Sequence, residues 1–296
     1  MPHTNVNGIE IYYETTGARD NPAILLISGV GTQMTRWYEP FTNMLAARGY
    51  FVVRMDNRDI GLSQKFTDHG MPDFKAIMAA LSARTTPQVA YTLDDMAADA
   101  AALLADLGID KAHIVGASMG GMIAQLVAIN HPERCLSLTT IFSNTGNHDL
   151  PKATDEAMEV LTSPRPDALT DREGYLASML KTAKVIGSPA YPVADADILA
   201  GAAADLDRSY HPTGFSRQYA AILAARDRRA ELQKLDLPCV VIHGVDDPLV
   251  PVTGGRDIAA NVPNAELIEI EGMGHNIPPQ LNERVCDGIE RAIKRA

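Results

Sequence analysis

An apolar run, Ala112-His113-Ile114-Val115, passes through Gly116-Ala117-Ser118-Met119-Gly120-Gly121 straight into a helix-patterned stretch, Met122 to Asn130. A strand that feeds a helix with only a tight turn between them reads as a βα unit, the building block of a parallel sheet. The turn carries G-x-S-x-G, a pattern that also lifts a serine hydroxyl clear of its own backbone. Gly116 and Gly120 lack a Cβ, so strand and helix can close on one another around a strained Ser118. Met119 stands where helix N–H groups are unpaired and the dipole favours an anion, the place for an oxyanion donor. The plain alternative is an ordinary βα turn with no chemistry in it.

A nucleophilic serine needs a base and an acid that orients the base, and in a sheet of this kind they follow in the order Ser, Asp, His beyond later strands. Leu237 to Ile242 reads as a short buried strand, and His243-Gly244-Val245-Asp246-Asp247-Pro248 turns away from it. Ala265 to Ile270 is a second strand-like run, leading into Glu271-Gly272-Met273-Gly274-His275-Asn276. Eight histidines occur in the chain. His3 lies in the terminal segment, His113 beside a strand start and His131 at a helix end, and His243 reads as a packed turn residue. Only His275 sits in a glycine-lined loop between a strand and a final helix, so it is the expected base. Asp246 and Asp247 both stand in the acid turn.

On these motifs the chain resembles the α/β-hydrolase superfamily, serine esterase type. The similarity runs from about Asn5 to Phe142 and again from Leu237 onward. The resemblance implies that the acid is the aspartate of H-G-x-x-D, which is Asp247, with Asp246 as its rival, and that the base is the histidine of G-x-G-H, which is His275. It also implies an oxyanion loop after the strand Ala23 to Ile27, in Ser28-Gly29-Val30-Gly31-Thr32-Gln33, with Val30 as the second donor beside Met119. Ser28 stands where the family often has histidine, which leaves the loop's supporting hydrogen bonds open. A further block, Val53 to Ser63, is similar to the R-x-D-x-R-G-x-G-x-S stretch of the family, with Asp59 in place of the usual glycine. That variant, with G-V-G in the loop and G-M-G-H at the base, most resembles the aclacinomycin methylesterase-like branch. Its charged residues are expected to tie the loop together through arginine–carboxylate pairs. Asp56 is not counted as an active-site acid.

With 296 residues, 46% of them apolar, the chain can bury a large core in one sheet domain with an insertion. A formal net charge of −11 argues against a nucleic-acid surface. No stretch has the apolar length of a membrane span, and the polar start does not read as a secretory signal, so cytoplasmic residence is expected. Cys135, Cys239 and Cys286 are widely spaced, with no C-x-x-C pair, so neither disulfides nor a zinc site are expected. No metal or other cofactor is expected.

Val6, Ile9, Ile11 and Tyr13 suggest an opening antiparallel hairpin, after which strands and helices alternate. Leu93, Met96, Ala97, Ala100, Leu103, Leu104 and Leu107 form a helical stripe closed by Gly108. The expected architecture is therefore an α/β-hydrolase fold, a mostly parallel sheet flanked by helices. Residues 1–143 and 237–296 form the core domain. Residues 144–236, where strands vanish and prolines punctuate helical pieces, form a helical cap inserted after the sixth strand. Gly29, Trp37, Met78 and Met179 are candidates for the pocket wall.

The expected activity is hydrolysis of a small-molecule carboxylic ester through an acyl-enzyme on Ser118. Lactone or thioester hydrolysis, carbon–carbon bond hydrolysis and cofactor-free perhydrolysis use the same triad and stay open. So does a ligand receptor that binds without turnover, and so does the choice of monomer or homodimer. A serine at the elbow argues against haloalkane dehalogenase or epoxide hydrolase chemistry, which needs a carboxylate there.

Overall fold

The chain opens with β1 (His3–Val6) and β2 (Ile9–Thr16), joined by Asn7-Gly8 with φ of 52° and 77°. Two left-handed residues in a two-residue loop match the twist of the strands they join, so Val6 pairs directly with Ile9. The remaining strands are β3 (Ala23–Ile27), β4 (Phe51–Met55), β5 (Ala112–Ala117), β6 (Cys135–Ile141), β7 (Cys239–Gly244) and β8 (Glu266–Ile270). They form one eight-stranded sheet in the order β1-β2-β4-β3-β5-β6-β7-β8, parallel from β4 to β8 and antiparallel at β1 and β2. This computed structural model describes residues 2–296.

Among the described residues, eleven helices accompany the sheet: α1 (Glu39–Ala47), α2 (Phe74–Ser82), α3 (Leu93–Asp106), α4 (Met119–Asn130), α5 (Asp155–Thr162), α6 (Arg172–Ile186), α7 (Asp195–Arg208), α8 (Pro212–Leu223), α9 (Arg229–Leu232), α10 (Thr253–Asn261) and α11 (Asn282–Ile293). Because strand side chains alternate between faces, each central strand feeds two cores at once. Leu25, Ile27, Val53 and Ile114 pack with Leu103 and Ile123 on one face, while Ile24, Leu26, Val52 and Val115 pack with Leu45 and Ile289 on the other. The predicted stripe is α3: Thr92 caps it in a reciprocal box with Asp95, and Gly108 at φ 65° follows its end.

The five helices α5 to α9 lie between β6 and β7, and the described residues of that stretch form no strand. Of the prolines there, Pro212 opens α8, where its missing N–H costs nothing. The last piece leaves the insertion and joins the sheet: Leu232 of α9 is buried in the same core as α3 and α4.

Buried ion pairs seat the insertion on the sheet. Asp59, at φ 72°, accepts both arms of Arg217 from α8 at 2.7 and 2.8 Å, with Phe66 N–H and the Tyr91 hydroxyl also donating to it and His211 Nε2 3.3 Å away. Arg208 of α7 lies 2.7 Å from Asp56, whose carboxylate also takes the N–H groups of Met34 and Leu62. The arginine–carboxylate pairs expected inside the 53–63 block therefore reach outward into the insertion. Arg54, paired with Glu14 of β2, and Arg58, paired with Asp99 of α3, instead stay beside the sheet.

Burial alone would discourage charge on Asp59, but the Arg217 guanidinium, Phe66 N–H and Tyr91 hydroxyl outweigh it and hold the carboxyl below its ordinary value. A depressed carboxylate contributes stability above its unfolded pKa of about 4 and loses it as pH falls through the lower folded value. Removing one partner of a buried pair typically costs about 3–5 kcal/mol. Asp59→Gly and Arg217→Met should each lower the unfolding free energy by about that much at neutral pH, with the double variant losing about 2 kcal/mol less than the sum. Denaturant titrations at pH 7 and below pH 4 check this. Additive losses at pH 7, or a coupling that does not diminish as the pH is lowered progressively below 4, would show that the pair does not anchor α8.

Candidate active site

The turn between β5 and α4 puts Ser118 at φ 56°, ψ −122°, a conformation that ordinary L residues avoid. Its backbone is held on every side. The N–H donates to the Ile141 carbonyl at 2.9 Å, and the carbonyl accepts from Gly121 N–H at 2.9 Å and the Ser143 hydroxyl at 2.8 Å. A Cβ on Gly116 would strike the Gly120 carbonyl, and one on Gly120 would strike that of Ile27, so only glycine lets α4 start this close to β3 and β5.

The loops after β7 and β8 bring two of the expected partners to the serine. His275 Nε2 lies 3.0 Å from Ser118 Oγ, and His275 Nδ1 lies 2.7 Å from Asp247 Oδ2. A ring nitrogen facing a carboxylate must carry the proton, which leaves Nε2 free to accept from the hydroxyl. Asp247 is fully buried at its side chain, and its other oxygen takes the N–H groups of Leu249 and Val250, both at 2.8 Å. Asp246 points elsewhere, its carboxylate accepting Gly272 N–H at 2.7 Å. The two aspartates open in sequence are thus separated by one step of the turn: one meets the imidazole, the other staples the histidine loop.

His243 is a packed turn residue, as expected. It is buried, donates Nε2–H to the Val250 carbonyl at 2.8 Å, and lies 3.7 Å from Asp247. Burial pushes its pKa down, so it is a neutral neighbour of the acid rather than a second charge. The Phe142 ring lies 4.6 Å from the His275 ring, covering one side of the base.

Gly29 lies against the serine: a Cβ there would stand 3.2 Å from Ser118 Cβ and 3.7 Å from its oxygen. Val30 follows it directly and Met119 opens α4, and neither N–H has a hydrogen-bond partner among the described residues. Free backbone donors beside a serine hydroxyl suit an anion. Ser28 does not replace the family's histidine as a support, because its hydroxyl is buried without a partner. Support comes instead from Asn57, which donates to the Ser28 carbonyl at 3.0 Å, and from the Thr32 hydroxyl, which donates to the Gly29 carbonyl at 2.8 Å.

The pocket candidates scatter. Trp37 is buried in the core with α1, 3% exposed and 5.4 Å from the Phe41 ring. Met78 is 53% exposed on α2, where Ile77 is the buried neighbour. Met179 is half-buried on α6. Sequence reasoning missed the residues through which the insertion grips the site. His275 N–H donates to the Ile186 carbonyl at 2.7 Å, Gly274 N–H to the Ser188 hydroxyl at 3.0 Å, and Gly31 N–H to Gln218 at 2.8 Å. No local pattern marks them, since each partner lies far away in the chain.

The chain is 29% identical over 315 aligned residues to rhodomycin D methylesterase DnrP of Streptomyces peucetius, covering 98% of this chain and 97% of that protein. It is 27% identical to 3-oxoadipate enol-lactonase 2 of Acinetobacter baylyi, covering 97% and 94%. Among solved structures, an enol-lactonase from Burkholderia xenovorans LB400 superposes with a TM-score of 0.73 at 19% identity over 99% of this chain and all of that one, a likeness of fold. A family model described as the alpha/beta hydrolase fold matches residues 22–280, so with its sheet order and elbow the chain belongs to the α/β-hydrolase family.

Proposed function

We propose that this protein is a serine hydrolase that cleaves a small-molecule carboxylic ester through an acyl-enzyme on Ser118. Its class is that of carboxylic ester hydrolases, in keeping with relatives named methylesterase and enol-lactonase. The observation that carries the mechanism is the relay of hydrogen bonds from Asp247 through His275 to Ser118, at 2.7 and 3.0 Å.

In that reading the Ser118 oxygen attacks the ester carbonyl carbon while its proton passes to His275 Nε2. Asp247 keeps the Nδ1 proton in place and stabilises the imidazolium, and the two backbone amides that hold Asp247 Oδ1 keep its carboxylate from turning away. The carbonyl electrons move to oxygen, where Val30 and Met119 N–H groups receive the charge. Collapse expels the alcohol, which takes the proton from His275. Water then repeats the sequence on the acyl-enzyme, giving up a proton to His275 and releasing the acid. A lactone is an ester closed in a ring and needs no different step.

Residues 144–236 act as the lid over this site, with α6 and α8 supplying its contacts to the base loop and the oxyanion loop. Residues 1–143 and 237–296 make up the catalytic core.

Ser118→Ala should lower kcat for p-nitrophenyl butyrate by about 10⁴-fold or more, and wild-type enzyme should show a p-nitrophenol burst equal to the enzyme concentration. A Ser118→Ala enzyme that still turns over, or a wild-type protein that turns over no ester, would end this reading. Asp247→Asn should cost about 10³–10⁴-fold in kcat, because an amide leaves the imidazole in the wrong tautomer. Asp246→Asn should stay within about tenfold of wild type, since its carboxylate only accepts one loop N–H. The reverse ranking in steady-state assays would transfer the acid role to Asp246.

A further inference from the structure

Val30 lies between two peptide planes, and each is held by a different part of the molecule. The plane joining Gly29 to Val30 carries the Val30 N–H on one side and the Gly29 carbonyl on the other. The Thr32 hydroxyl, 2.8 Å away, holds that carbonyl, so it also sets where the N–H points. The plane joining Val30 to Gly31 is held from outside the loop. Gly31 N–H donates to Gln218 Oε1 at 2.8 Å, 187 residues further along the chain.

Gln218 is itself fixed. It is fully buried, and its Nε2 donates to the Arg58 carbonyl at 2.8 Å, in the same block whose Asn57 holds the Ser28 carbonyl. Its neighbour Arg217 is clamped on Asp59, so α8 cannot turn without breaking a buried ion pair. Phe215, three residues earlier on α8, lies against Gly31 so closely that a Cβ on that glycine would meet its ring at 2.7 Å. Gly31 has φ of 65°, and glycine flanks Val30 on both sides. Such a loop has cheap alternative conformations, so its peptide planes need outside restraint.

We propose that Gln218 is a positioning residue for the oxyanion loop, through which α8 of the insertion holds the Val30 N–H in the direction the transition state requires. The inference rests on the serine-hydrolase reading above. It assigns to the insertion a part in the chemistry beyond roofing the site, and it adds Gln218 to Asn57 and Thr32 as a support of the loop in the absence of the family's histidine at position 28.

A restraint on an oxyanion donor is felt when charge develops on the carbonyl oxygen and little in ground-state binding. Gln218→Met keeps the length and loses the acceptor. It should lower kcat for p-nitrophenyl butyrate by about tenfold or more, below the 10²–10³-fold typical of deleting a donor outright, with KM within about twofold. The inhibition constant of a phenylboronic acid should rise in step with the loss in kcat. In that adduct the Ser118 oxygen bonds to boron, its proton goes to His275, and a boronate oxygen takes the oxyanion position. Gln218→Glu retains an acceptor for Gly31 and should recover part of the loss.

A Gln218→Met enzyme with wild-type kcat and boronate affinity, or with a change in KM alone, overturns the inference while leaving the serine reading intact. Turnover persisting in Ser118→Ala would remove both. If Gln218→Met does not fold, amide exchange in the wild-type protein decides. A Gly31 amide protected well beyond an open loop amide supports the restraint, and exchange at the free-loop rate overturns it.

Discussion

Ser118 occupies a backbone conformation that costs of the order of 1–3 kcal/mol, and the surrounding structure is arranged so that no cheaper one is available. Its N–H and carbonyl are both bonded, to Ile141 on the neighbouring strand and to the first turn of α4. The glycines at 116 and 120 remove side-chain atoms that would hold strand and helix apart. Relaxing the turn would therefore break backbone hydrogen bonds at the centre of a sheet buried on both faces. The position of the hydroxyl, the free Met119 N–H and the reach to His275 all follow from that one strained residue.

Around this rigid centre the other chemical groups stand on loops, which have no regular hydrogen bonding of their own. Fixing a loop carries an entropy cost that some other contact must offset. Here the contacts come largely from the insertion. The end of α6 takes the His275 N–H, Ser188 takes that of Gly274, and α8 takes that of Gly31, while Asp59 and Asp56 bind arginines of α8 and α7. A helical segment that forms no strand of the sheet thus holds the loops that carry His275 and Val30. The buried pair of Asp59 and Arg217 gains from being mutual: each partner is expensive alone, so the insertion has one well-defined seat.

Much of this was readable in the residues because the relevant physics is local. The elbow shows as an apolar run, two small residues around a serine and a helical pattern. The α3 stripe shows as a 3.6-residue period with a cap at one end and Gly108 at the other. Other features are less legible for a physical reason. Trp37 and Met78 are both apolar, yet one is packed on Phe41 and the other is half exposed, because apolar character does not say which surface a side chain meets. The choice between Asp246 and Asp247 depended on one residue of turn geometry. It became visible only where Leu249 and Val250 turn back to donate to Asp247 while Gly272 takes Asp246.

Asp59 shows the same boundary most clearly. In the chain it is an aspartate where glycine is usual; in space it is the carboxylate that receives Arg217, 158 residues away. Read alone, the order of residues determined the alternation of strands and helices, the strained serine turn and the order of its partners, since these depend on neighbours a few positions apart. Tertiary structure decided which aspartate meets the imidazole, where the insertion docks and what restrains the glycine loop. Those outcomes are hydrogen bonds and ion pairs between segments far apart in the chain, and their geometry exists only after the sheet has brought the segments together.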